Sequence, residues 1–143
     1  MPISAQFSRP FAEQTEFFRQ KLNLPTTHSG QITRDQNDAA FVVAGATKSD
    51  LLADLRGAVD DAISNGQSLG EFRNQFEGIV ARRGWTGWTG EGSKAGRAWR
   101  TRLIYKTNLD TSYAAGRWAQ MTDPDVLRLR PYWRYVHNTV ENP

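Results

Sequence analysis

The 143-residue sequence contains no cysteine, which excludes disulfides and thiolate metal sites and fits assembly in a reducing cytoplasm. No apolar run approaches the ~20 residues of a membrane span. The first residues lack the basic region and the following apolar run that mark a signal peptide. We therefore expect a soluble protein with no membrane partner.

Residues typical of catalytic or metal sites are also scarce. His28 and His137 stand far apart, each without a second histidine at ligand spacing, so a transition-metal site is not indicated. Asp60 and Asp61 are neighbours on a helix face; the plainer interpretation is surface acidity, and the alternative is a carboxylate pair or a Mg²⁺ site. No phosphate-binding glycine pattern is evident. The sequence predicts no catalytic, metal-binding or cofactor-binding residues and no small-molecule substrate.

A stretch without proline, residues 99–121, predicts a long central helix that ends at Asp123 and Pro124. At helical spacing it carries one apolar stripe: Leu103, Thr107, Ala114, Trp118 and Met121, widened by Ile104 and Ala115. A second apolar line lies nearly opposite: Tyr105, Leu109 and Tyr113. Because both sides are apolar, we expect this helix to be packed on two sides.

Three further helices are predicted around it. One runs from about residue 10 to 22, with Phe11, Thr15, Phe18 and Leu22 on one face. Residues 50–64 and 69–83 should form an antiparallel hairpin, with Thr47 or Ser49 capping its first helix. Ser68 and Glu71 form a capping box before its second helix, and glycines at 66 and 84 end the two helices.

The remaining segments complete a mainly α fold in which the hairpin and the N-terminal helix pack on the central helix. Residues 1–9 are predicted to be a flexible arm, residues 10–143 a single domain, and residues 26–38 a long loop. Short extended elements are expected near 39–45 and 126–137. The second of these needs a partner, which is either Phe41–Val43 or a strand outside this sequence.

Aromatic and basic residues are interleaved between Arg82 and Lys106, a segment with seven cations and a single anion, Glu91. Part of this region, the glycine-rich stretch 85–96, is expected to be a flexible loop. Such a composition suits contact with nucleic-acid phosphates and bases, or with a partner protein. The candidate residues are Arg82, Arg83, Trp85, Trp88, Lys94, Arg97, Arg100 and Arg102. The alternative is that the tryptophans fill the core while the arginines form a solvated or subunit-facing edge.

An acidic face on the helix 50–64 has the opposite charge to this basic segment. Its carboxylates are Asp50, Asp54, Asp60 and Asp61. Head-to-tail contact between copies or docking on a charged partner would follow from that asymmetry, and ordinary surface charge remains the alternative.

Four pieces of the sequence are distinctive: EFFRQKLNLPT, AFVVAGATKSDLLADLRGAVDDAISNGQSLGEFR, GWTGWTG and RLIYKTNLDTSYAAGRWAQM followed by LRPYWRYVHN. They resemble the minor head proteins related to phage Mu protein F, the virion morphogenesis family. The most specific part is T-N-x-x-x-x-Y-x-A-G-R, here Thr107, Asn108, Tyr113, Ala115, Gly116 and Arg117. The resemblance covers residues ~10–140, and members of the family usually continue into a segment containing His and Cys that this sequence does not include.

The resemblance implies a minor capsid or head morphogenesis protein of a tailed phage that acts by binding the portal protein, the major capsid protein or both. It would lie in the virion, in the capsid interior or near the portal, after assembly in the host cytoplasm. The leading alternative is an internal virion protein that binds DNA nonspecifically and accompanies the genome. A third possibility is an enzyme such as a nuclease or transferase, but we expect no enzymatic activity.

The motif residues on the central helix have two interpretations. Thr107, Asn108, Asp110, Tyr113, Gly116 and Arg117 form the structural motif. Asn108 and Arg117 are either interface contacts or internal hydrogen-bonding residues, and the internal role is favoured. Asp110 is placed to bridge Lys106 and Arg117 along one helical edge. Gly116 is expected to allow close approach of a neighbouring helix or aromatic ring.

Overall fold

The computed structural model describes residues 11–27 and 39–136. The predicted arm, most of the predicted loop 26–38 and both histidines lie outside these residues. The helices are α1 (Ala12–Arg19), α2 (Ser49–Asn65), α3 (Leu69–Arg83), α4 (Lys94–Met121) and α5 (Pro124–Leu129), and the strands are β1 (Leu22–Asn23) and β2 (Ala40–Phe41). The prediction of a mainly α fold with a long central helix is confirmed.

The α2–α3 hairpin follows the local sequence signals closely. The Ser68 hydroxyl accepts from the Glu71 amide while the Glu71 carboxylate accepts from the Ser68 amide, so the capping box is formed. Gly66 and Gly84 end the helices in the left-handed conformation, at φ 68° and 62°. The first cap differs from the prediction, because Lys48 occupies the N-cap of α2 and contributes no side-chain hydrogen bond.

The N-terminal helix is shorter than predicted and passes directly into a strand. Thr15 and Phe18 are buried on α1, whereas Leu22 lies in β1 with its side chain exposed. β1 pairs in parallel with β2, Leu22 opposite Ala40. The expected extended element near 39–45 therefore exists, and its partner is β1 rather than the segment after residue 126.

The extended element expected near 126–137 is not formed among the described residues, and α4 is longer than predicted. Residues 124–129 form helix α5, because the Asp123 carboxylate accepts from two backbone amides and Pro124 occupies the first turn. Residues 131–136 have no regular secondary structure. Helix α4 begins five residues before the predicted start, since the Ser93 hydroxyl caps it by accepting from the Gly96 amide.

The core lies between the hairpin, β2 and the inner side of α4. The largest fully buried side chains include Phe18, Phe41, Phe72 and Phe76. Phe18 meets Phe41 edge-on at 5.7 Å between ring centres, and Phe72 lies 5.6 Å from the ring of Tyr105 on α4. Within the described ranges, no helix combines the length and apolar character needed to cross a bilayer.

Candidate functional site

Helix α4 packs on the core along one side, and not along both sides as the sequence predicted. Ile104, Ser112 and Gly116 are buried, and Tyr105 and Leu109 are half-buried against the core. Most of the first predicted apolar stripe is exposed instead: Leu103 keeps 46% of its surface accessible and Trp118 keeps 56%. We call the exposed residues Trp99, Leu103, Thr107, Ala114 and Trp118 the outer stripe. Helix α4 is thus packed along one side, with an apolar line left on the other.

Part of the T-N-x-x-x-x-Y-x-A-G-R motif joins α4 to α1. A Cβ built on Gly116 would lie 2.8 Å from the Gln14 backbone nitrogen and 2.9 Å from the Phe11 ring. The Gln14 amide donates to the Ser112 hydroxyl at 3.1 Å, and the Phe11 and Tyr113 rings meet edge-on at 5.6 Å. The predicted close approach at Gly116 is confirmed, with both a helix backbone and an aromatic ring.

The charged residues of the motif lie on the exposed side of α4. Lys106 and Asp110 form an ion pair at 2.7 Å, as predicted. The second half of the predicted bridge is absent from the described residues, because Arg117 donates instead to the Gln120 side-chain oxygen at 3.3 Å. Arg117 therefore carries a charge that no described carboxylate neutralises.

Thr107 and Asn108 border a cleft of about 490 Å³ beside the outer stripe. Its other walls are the segment after β2 (Val42–Gly45) and the turn at Gly87–Thr89. The Asn108 amide donates to the Ile104 carbonyl of its own helix at 2.8 Å, which is an internal role of the kind favoured from the sequence. Trp99 and Leu103 also line this cleft, so the cleft and the outer stripe form one continuous surface.

Arg82 and Arg83 belong to an ion-pair cluster with α2. Asp54 lies 2.7 Å from the Arg83 guanidinium and 2.9 Å from that of Arg82. Hydrogen bonds from Arg83, and then from Arg82, lower the pKa of Asp54 to about 2. These two candidate contact residues hold the hairpin together, and much of their charge is neutralised within the chain.

The rest of the acidic face is engaged in a similar way. Asp60 pairs with Arg19 at 2.9 Å, and this hydrogen bond lowers the pKa of the Asp60 carboxyl. Asp61 accepts from the Gln75 amide at 3.4 Å. The predicted acidic face is therefore largely an intramolecular contact between α1, α2 and α3.

Two of the predicted contact residues are buried. Arg100 is only 5% exposed and donates to the Ala44 carbonyl at 2.6 Å and the Thr89 carbonyl at 3.3 Å. Trp88 is 6% exposed and packs on Phe76. In this arrangement neither presents a surface to a nucleic acid or partner, so that part of the prediction is wrong; Trp85, stacked on Trp88, is half-buried.

The glycine-rich stretch before α4 is packed more tightly than a flexible loop would require. A Cβ on Gly90 would lie 2.6 Å from the Gly96 carbonyl oxygen, and one on Gly96 would lie 2.5 Å from that of Gly90. The two glycines allow the turn to lie directly on the first turn of α4. Lys94, Arg97 and Arg102 remain exposed and form no ion pair with another described residue.

A second exposed aromatic region, which the sequence analysis did not predict, follows α4. Tyr132 and Tyr135 are almost fully exposed, and Leu129 is exposed on α5. Trp133 packs on α4, where its ring contacts that of Trp118 edge-on at 5.0 Å between ring centres. The alternating arginines and aromatics from 126 to 136 are a signal for this surface, although the same alternation is typical of a strand.

Comparison with known proteins finds similarity to two curated F proteins, one of phage Mu and one of a Mu-like prophage. The putative capsid assembly protein F of Escherichia phage Mu is 34% identical over 135 residues, which cover 89% of this chain. The Mu-like prophage FluMu F protein of Haemophilus influenzae is 38% identical over 101 residues, or 68% of this chain. The chain is similar to these proteins over most of its own length, and the resemblance seen in the sequence is confirmed.

The matches extend over only part of those relatives. The chain covers 30% of the Mu protein and 24% of the Haemophilus protein. No protein-family model matches the chain, and no solved structure matches it.

Proposed function

We propose that this chain is a capsid assembly protein of a Mu-like phage that acts by docking on the portal protein, the major capsid protein or both. The homologous F protein of phage Mu carries the name of a putative capsid assembly protein. The structural observation that supports docking is the outer stripe of α4. Its apolar side chains recur at helical spacing and stay about half exposed: Trp99 at 52%, Leu103 at 46% and Trp118, which also contacts Trp133, at 56%.

The outer stripe has the features of a protein-docking face. Aromatic and aliphatic side chains on one exposed helix side supply the apolar area that a partner helix or groove buries. Trp99 and Leu103 project beside the cleft of about 490 Å³, which offers a recess for a partner side chain. Lys106, Asp110 and Arg117 add a charged rim, which favours orientation and specificity over raw affinity.

The proposal gives the chain a binding role and not a catalytic one. Asp60 and Asp61, the candidate carboxylate pair, already have partners in Arg19 and Gln75. On this proposal the protein resides in the virion, in the capsid interior or near the portal, after assembly in the host cytoplasm.

Co-purification with each head protein tests the docking role. The chain is co-expressed with the portal protein, and separately with the major capsid protein, of the phage that encodes it. Capture of either protein is expected from the unmodified chain and should be lost in Leu103→Glu, which places a charge in the outer stripe. Leu22→Glu is the matched control, because Leu22 is also exposed but lies on β1. Failure to capture either protein, or equal capture by both variants, would contradict the proposal.

Nonspecific DNA binding is the second candidate function. The observation that favours it is the set of exposed cations near the start of α4, Lys94, Arg97 and Arg102, beside the 52%-exposed Trp99. A filter-binding titration at low salt should then show an affinity that falls steeply as salt is raised. No binding at low salt, or binding that is insensitive to salt, would remove this candidate.

A further inference from the structure

A groove at the end of α4 is separate from the cleft beside Leu103. It has a volume of about 830 Å³ and lies between the last turns of α4, the start of α1 and residues 130–134. The aromatic wall consists of Tyr132 and Trp133, and Trp133 is braced by its edge-on contact with Trp118. The contact with Trp118 therefore fixes the position of Trp133 in this wall.

The groove has an excess of positive charge, because three arginines line it (Arg117, Arg130 and Arg134) against two carboxylates (Glu13 and Asp123). None of the three forms an ion pair with a described residue. Both carboxylates already accept hydrogen bonds from neutral amides. Asp123 accepts from the backbone amides at the start of α5, and Glu13 accepts from the Gln120 amide at 3.4 Å.

We infer that this groove binds an acidic, extended peptide segment of a partner head protein. Guanidinium groups form strong, often bidentate hydrogen bonds with carboxylates, and the aromatic wall would cover apolar side chains between the acidic ones. The origin of the segment in another head protein rests on the proposed function, whereas the chemistry of the groove does not.

A second copy of this chain is a poorer occupant. The acidic face that it would offer is already occupied, since Asp54 pairs with Arg82 and Arg83, and Asp60 pairs with Arg19. Among the described residues, the paired acidic face thus favours a segment of a different protein over a second copy of this chain.

Peptide binding measured by fluorescence anisotropy tests the inference. The probe is a fluorescein-labelled peptide of alternating Glu and Leu, compared with peptides in which Gln or Lys replaces Glu. Binding of the Glu peptide is expected to weaken by about tenfold or more in Arg130→Gln/Arg134→Gln, because charged hydrogen bonds are lost. The matched control, Arg97→Gln/Arg102→Gln, removes the same charge outside the groove and should change binding little.

Charge reversal provides a check that does not depend on loss of binding. Arg130→Glu/Arg134→Glu should reject the Glu peptide and bind the Lys peptide. The inference is overturned if both glutamine variants weaken binding equally, or if the Gln peptide binds as well as the Glu peptide. It is also overturned if single-stranded oligothymidine binds the groove more tightly than the Glu peptide.

The outcome can be separated from that of the proposed function. Peptide binding that depends on Arg130 and Arg134, together with no capture of a head protein, would leave the groove's chemistry intact and refute the docking role. Capture that depends on Leu103, together with no peptide binding, would refute the groove alone.

Discussion

Replacement of Gly116 by alanine should destabilise the protein, although alanine is the better helix former. The new Cβ would lie 2.8 Å from the Gln14 backbone nitrogen and 2.9 Å from the Phe11 ring. Such contacts are shorter than side chains tolerate, and a backbone nitrogen cannot yield unless α1 moves. Overpacking of this kind costs about 1–3 kcal/mol, against a gain of about 1 kcal/mol in helix propensity.

The same substitution at Gly78 isolates the overpacking cost. Gly78 lies within α3, and a Cβ added there would have no atom within 4 Å, so Gly78→Ala should stabilise by about 0.5–1 kcal/mol. The free energy of unfolding of Gly116→Ala should therefore fall below that of Gly78→Ala by about 1–3 kcal/mol, or about 3–10 °C in Tm.

Urea unfolding followed by circular dichroism, with thermal unfolding beside it, measures both variants. Gly116→Leu should be less stable still, since its larger side chain must enter the same contact. The reasoning fails if Gly116→Ala is stabilised as much as Gly78→Ala, because α1 would then not lie against α4 at this position.

Three further predictions concern the hairpin and its contact with α4. The pKa of Asp54 is about 2 in the folded protein, below its usual 3.8. Its ion pairs with Arg83 and Arg82 therefore add to the free energy of unfolding above pH ~4, and this stabilisation is lost as pH falls toward 2. The stability difference between the unmodified protein and Asp54→Asn should accordingly shrink between pH 4 and 2 in urea titrations; a constant difference would contradict this. Tyr105→Phe removes the 2.7 Å hydrogen bond to the Gln67 carbonyl and should cost about 1 kcal/mol in the same assay, whereas a neutral effect would count against that bond. Ser68→Ala breaks the capping box and should cost about 1 kcal/mol, unless α3 begins elsewhere in solution.

The hairpin was predictable because its signals are local. Ser68 and Glu71 cap α3, glycines end both helices, and each helix carries one apolar face. No distant contact is needed to interpret these features. The contact residues in the core of the hairpin, such as Leu55 and Phe76, follow from the same periodicity.

The orientation of α4 could not be deduced in this way. Apolar residues lie on both sides of the helix, and periodicity does not say which side the chain itself covers and which it leaves exposed. The contact with α1 decides between them, since Gly116 lets the backbone of Gln14 approach one side alone. The expected two-sided packing was therefore wrong, and Leu103 lies on the exposed side of α4.

Helix α5 was not predicted, because Asp123 and Pro124 are also the signals that end α4. Asp followed by Pro is a strong start signal as well, and here it begins a new helix. Arg100 illustrates a different limit: its guanidinium donates to carbonyls outside its own helix, at Ala44, which is 56 residues away, and at Thr89. No local pattern identifies an arginine of that kind.

Site-specific photo-crosslinking in assembling heads tests the central claim, that the outer stripe of α4 docks on another head protein. A benzophenone amino acid is placed at Leu103 and, as control, at Asn74, which is exposed on α3. The account predicts crosslinks from position 103 to the portal protein or the major capsid protein and none from position 74. Crosslinks from position 74 alone, or to DNA alone from position 103, would contradict it.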